Sequence, residues 1–158
     1  PLRRDGAPTP AGVVLLSPWL DATLDESAVA GLEPADPVLA ESGLRAAGRW
    51  WAGEREPSDP WVSPQRADLD GLPPVHLFIG CRDILRPAVD GLAERARHRD
   101  VELTVHEVTA MFHVWMTRAL PEGLRTRRVL RRLLASLAAA QRPAANRTSP
   151  GGSVEPTG

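Results

Sequence analysis

The stretch Val75-His76-Leu77-Phe78-Ile79-Gly80-Cys81-Arg82-Asp83 decides the fold. Its first five residues form a short apolar run behind Pro73 and Pro74, the pattern of a strand covered on both faces. Gly80 lacks a Cβ and permits the sharp exit such a strand needs. Asp83 then falls just past the strand's carboxyl end, where the loops of an open α/β sheet aim side chains into a shared crevice.

Forward of this stretch, residues 87–97 read as an amphipathic helix opened by Pro87, with Val89, Leu92, Ala93 and Ala96 on one face. Residues 101–108 alternate and carry β-branched side chains, which predicts another strand, and residues 121–140 predict a last helix. Backward, the proline-rich residues 54–74 show no sustained period and predict a long connection. Residues 37–52 place Leu39, Leu44, Ala47, Trp50 and Trp51 at near-helical spacing before Gly53, so a helix is expected there, with the tryptophan pair engaged in packing. Residues 21–36 are acidic and broken by Pro34, as in a loop or small cap element. Val13-Val14-Leu15-Leu16, closed by Ser17-Pro18, reads as the first strand.

Strands alternating with helices predict an α/β fold, a parallel sheet flanked by helices and joined by right-handed crossovers. About three strands are few for such a sheet. The first would have one flank unpaired, an edge that invites association. The chain is therefore expected to be part of a larger domain, and a homo-oligomer through that edge or the terminal helix is a further expectation. Residues 142–158, with almost no apolar content, predict a disordered tail after a folded unit over residues 1–141.

A formal net charge of -1 and a pI of about 6.5 call for neither nucleic acid nor an anionic membrane as partner. The basic residues are all arginine, a bias of GC-rich, bacterial-type coding that carries no function by itself. Arg125, Arg127, Arg128, Arg131 and Arg132 would form the solvated face of a helix whose Leu124, Leu130, Leu133, Leu134 and Leu137 pack on the sheet. The single cysteine, Cys81, excludes an internal disulfide and a cysteine-clustered zinc site, and a buried thiol without chemistry is expected. No apolar run is long enough to span a bilayer and no leader is visible, so a cytoplasmic protein is expected.

An aspartate past one strand and a histidine past the next put a carboxylate and an imidazole on adjacent loops at one sheet edge. The carboxylate can accept the Nδ1 proton, fix the tautomer and stabilise the imidazolium formed when Nε2 takes a proton from a nucleophile. Asp83 and His113 suit these roles. His76, His98 and His106 lie within strands or at a helix end and read as structural or solvated, and no metal or cofactor is expected.

The chain resembles the C-terminal part of hormone-sensitive-lipase-like esterases of the α/β-hydrolase fold. The resemblance is carried by Val-Val-Leu-Leu-Ser-Pro-Trp-Leu-Asp (13–21), Leu-Pro-Pro leading into Val-His-Leu-Phe-Ile-Gly (72–80), Arg-Asp-Ile-Leu (82–85), Met-Phe-His-Val-Trp (111–115) and Leu-Pro-Glu-Gly (120–123). It implies that Asp83 is the triad acid and His113 the general base, that Trp19, Leu20 and Trp115 lie near the acyl or alcohol pocket, and that residues 21–59 contribute to a cap. It also implies a small-molecule ester as substrate. The sequence departs from the family at Ala110, where glycine is usual. The family's G-x-S-x-G nucleophile segment and its His-Gly-Gly oxyanion-hole segment are not found in the chain. Both are expected upstream of Pro1, with residues 1–6 as the exit of the nucleophile's helix, and the chain alone is expected to be inactive. A non-catalytic pseudoenzyme, a subunit completing a split hydrolase, and a hydrolase of amides or epoxides remain open on this reading.

Overall fold

The computed structural model describes residue 6, residues 8–99 and residues 101–141. The expectations for residues 1–5 and for the tail at 142–158 lie outside the described residues. Three strands, β1 (Val13–Leu16), β2 (Val75–Gly80) and β3 (Leu103–Val108), form one parallel sheet in the order β1-β2-β3. Val75 pairs with Val13 on one side and Leu103 on the other, so the carboxyl ends of the three strands emerge at one edge.

The central position of β2 explains its apolar sequence. Its alternate residues point to opposite faces, and a helix covers each. Leu77 and Ile79 pack with Val89, Leu92 and Ala96 of α3 (Arg86–Arg97), together with Leu20 and Leu69. Phe78 packs on the other face with Trp115, Met116 and Leu130. Leu130 belongs to α4 (Pro121–Ala140). That helix approaches the chain before it closely: a Cβ on Gly123 would stand 2.6 Å from Arg118 O and 2.9 Å from Trp115 O.

Between β1 and β2 lies an insertion with a short helix, α1 (Glu26–Val29), and a longer one, α2 (Glu41–Ala52). Its apolar residues Leu24, Val29 and Leu44 pack directly on Ile84 and Leu85, the two residues after Asp83. Leu44, Gly48 and Ala52, four apart, form the buried stripe of α2, and a Cβ at Gly48 would meet Ala22 O at 2.9 Å.

Two expectations about packing are corrected here. Trp50 and Trp51 are not packed: they are 83% and 70% exposed, because the stripe that starts at Leu44 passes through Gly48 and leaves both indoles on the outer side. On α4 the buried positions are Gly123, Thr126 and Leu130, followed by the half-buried Leu133 and Leu137. Leu124 and Leu134, one residue off that line, stand exposed beside the arginines. Helix α2 also begins at Glu41, since Ala40 before it is extended (φ −123°, ψ 141°) and residues 36–39 form a turn closed on the Asp36 carboxylate.

Candidate active site

The exit of β2 fits under the loop that leaves β3. A Cβ at Gly80 would lie 2.2 Å from Met111 O, so only glycine permits the approach. Cys81 N–H then donates to Val108 O (3.2 Å) and Arg82 N–H to Met111 O (2.9 Å), joining the two loops by main-chain bonds. Cys81, expected to be buried and inert, is half-buried instead, and its Sγ accepts the N–H of Ala110 at 2.9 Å. Ala110, at the position where glycine is usual, has φ +62°, a left-handed conformation in which a Cβ is unfavourable.

These contacts bring Asp83 and His113 together. Asp83 is fully buried. Its Oδ1 accepts the N–H of Leu85 (3.0 Å), and its two oxygens lie 3.4 and 3.2 Å from His113 Nδ1. A carboxylate only accepts, so the contact places the imidazole proton on Nδ1 and leaves the lone pair on Nε2. The His113 side chain is 17% exposed, which leaves the ring partly accessible while its partner is shielded. Such an arrangement can hold a base in one tautomer and stabilise the cation it forms on taking a proton.

Two contacts around the pair were not foreseen from the sequence. Ser17, at the exit of β1, is buried and accepts the N–H of Val114 on Oγ at 3.0 Å. Asp36, from the insertion, accepts the N–H of Ile84 at 3.1 Å. Ser17 stands in a strand-exit loop, a signal that could have marked it. The reach of Asp36 across the insertion has no local sequence signature.

Trp19, Leu20 and Trp115 are not brought together. Leu20 is packed against the α3 face of the sheet and Trp115 against the α4 face, where its Nε1 donates to Thr126 Oγ1. Trp19 lines a concavity of about 570 Å³ with Trp50, Trp51 and Trp61. His106 stacks on Phe78 with ring centroids 4.2 Å apart, and His76 lies 5.8 Å from it. Burial, and then the neighbouring His76, push the pKa of His106 below its ordinary value. His98 meets Glu94 at 3.0 Å on the surface. Among the described residues no cluster of three or more His, Cys, Asp or Glu could hold a metal ion, and no helix is long and apolar enough to cross a membrane.

Residues 1–117 match a family described as having the alpha/beta hydrolase fold. The chain is 32% identical over 126 residues to an acetyl-hydrolase of Streptomyces hygroscopicus, an alignment covering 78% of this chain and 42% of that protein. The crystal structure of an esterase/lipase from an uncultured bacterium superimposes with a TM-score of 0.80 at 27% identity, over 87% of this chain and 47% of the other. That of an esterase from the bacterial hormone-sensitive lipase family gives 0.74 at 31% identity, over 79% and 43%. The chain thus spans less than half the length of these relatives.

Proposed function

The chain belongs to the α/β-hydrolase fold family, and from that membership we propose that the whole protein hydrolyses carboxylic esters through an acyl-serine intermediate. The observation that carries the reading is the contact of buried Asp83 with Nδ1 of the partly accessible His113 at the carboxyl edge of a parallel sheet. In this reading a serine outside the 158 residues attacks the ester carbonyl while His113 Nε2 accepts its proton. His113 then returns the proton to the leaving alcohol, and repeats both steps with water to release the acid. Asp83 fixes the ring and stabilises its cation without itself taking the proton. Residues 1–141 are part of the hydrolase domain, and residues 21–59 contribute to the cap over the site. The names of the relatives, an acetyl-hydrolase and esterases, support small esters as the substrate class.

Turnover of a short-chain nitrophenyl ester by the full-length protein tests the reading. Replacing His113 by Ala, or Asp83 by Asn, is expected to lower kcat by about 10³- to 10⁴-fold, because both act as one unit with the nucleophile. Turnover in His113→Ala within twofold of the original would sink it.

A further inference from the structure

We propose that Asp36 is a positioning residue for the reaction: its carboxylate, reaching from the insertion to the N–H of Ile84, sets the turn that aims Asp83 at His113. The proposal rests on the ester-hydrolase reading above and extends it to a residue outside the acid–base pair.

In the turn that carries Asp83, the N–H groups of Cys81, Arg82, Asp83 and Arg86 find main-chain acceptors, whereas those of Ile84 and Leu85 go to carboxylates. It leads into α3, whose N-cap, Leu85, has no side-chain hydrogen bond to offer the free N–H groups of the helix start. Two carboxylates take the N–H groups of the N-cap residue and of the residue before it. Asp83 Oδ1 accepts from Leu85, which uses one of the lone pairs of the triad acid to fix its own turn. Asp36 Oδ2 accepts from Ile84, the residue directly after Asp83. The other oxygen of Asp36 is occupied on its own side: Oδ1 accepts from Val38 (2.9 Å) and Leu39 (3.3 Å), forming a local turn before α2. Asp36 is only 7% exposed, and it takes part in none of the ion pairs among the described residues. Its carboxylate is thus held by main-chain N–H groups from two separate segments, one oxygen to each.

This division has a chemical consequence. The Ile84 N–H is buried, and among the described residues its acceptor is Asp36. Without it, the turn would have to rotate to reach water, since an unmade buried hydrogen bond is costly. Rotation of Ile84 moves the plane of the preceding peptide and with it the Asp83 carboxylate, whose contacts to His113 Nδ1 are already long at 3.2 and 3.4 Å. The insertion packs Leu24 and Leu44 on the same Ile84 and Leu85. Asp36 therefore makes a polar tie, beside these apolar contacts, by which the insertion and the acid's turn share a fixed geometry.

Asp36→Asn separates this role from a purely structural one. An asparagine has one acceptor oxygen, and the two donors of Val38 and Leu39 hold it, so the amide NH₂ faces the Ile84 N–H and the tie is broken while the turn before α2 survives. In the full-length protein, with active sites counted by stoichiometric acylation, Asp36→Asn is expected to lower kcat by about tenfold or more. KM for a short-chain nitrophenyl ester should change less than about twofold. The Ile84 amide should exchange with solvent faster while the β2 amides stay protected. A double-mutant cycle shows the route: in an Asp83→Asn background, Asp36→Asn should have almost no further effect, because its action passes through the carboxylate already removed. An unchanged kcat in Asp36→Asn, or losses in the two variants that multiply independently, overturns the proposal while leaving the ester-hydrolase reading intact. Full turnover in Asp83→Asn overturns both.

Discussion

Ser17, Ala110 and Val114 hold φ at +45°, +62° and +48°, and all three flank the acid–base pair. Left-handed backbone at a residue with a Cβ costs roughly 1–2 kcal/mol, more where the side chain is β-branched as in Val114. It persists where surrounding contacts dictate it. Val114 is held by its hydrogen bond to Ser17, and Ala110 by its N–H to Cys81 Sγ. Ala110 offers the simplest relief, since its side chain is exposed and its substitution removes only a methyl group. Ala110→Gly is expected to raise stability by about 0.5–1 kcal/mol, the relieved strain less the extra freedom glycine gives the unfolded chain. Thermal unfolding of the full-length protein measures it, and a lowered melting temperature would contradict the strain at this site. The pairing of Asp83 with His113 was legible because both follow strand ends, and position in a parallel sheet fixes the edge at which they meet. Ser17 and Asp36 were not legible as partners, because their hydrogen bonds close over long stretches of chain with no periodicity to reveal them.

At the scale of elements, the sequence predicted the strands and the two long outer helices to within a few residues, because burial on both faces of β2 and on one face of α3 leaves a clear apolar pattern. It misjudged which aromatic and leucine side chains lie inside. On α2 and α4 the buried stripe includes Gly48 and Gly123, each held too close to neighbouring main chain for a Cβ, and a stripe that runs through glycine is invisible to a count of apolar residues. The interface of β2, β3 and α4 also carries a pH dependence. His106 stacks on Phe78, faces His76 from β2, and shares a concavity with Glu107 of its own strand and with Glu122 and Arg125 of α4. Its pKa in the fold lies below the ordinary 6.5, first because of burial and then because of His76. As pH falls through 6.5 the unfolded chain takes up a proton that the folded one resists, so stability declines there and His106 contributes no slope well above it. His106→Phe, which keeps the stacking, should flatten the loss of stability as pH falls below the ordinary 6.5 in denaturant titrations. An unaltered slope in that variant would assign the dependence to other groups.

For the molecule as a whole, β2 is the closed centre of the sheet. Among the described residues β1 and β3 each pair with β2 alone, and on those two edge strands Leu16 is 42% and Val105 37% exposed. The place of the insertion was not readable from the sequence: nothing local says that residues between β1 and β2 will pack on the turn after β2. The pairing of the strands also sets an order in time. Val75 meets Leu103 across a single helix, but meets Val13 only after the whole insertion has been gathered in. Each doubling of the loop to be closed adds about 0.6 kcal/mol to the entropic barrier, roughly a threefold slowing. The unit β2-α3-β3 should therefore assemble first, and pulse-labelled hydrogen exchange during refolding should protect the amides of Leu77 and Thr104 before that of Leu15. Acid and base would then be neighbours early in folding, on a still-open scaffold, and would gain their fixed orientation only when the slowest segment docks.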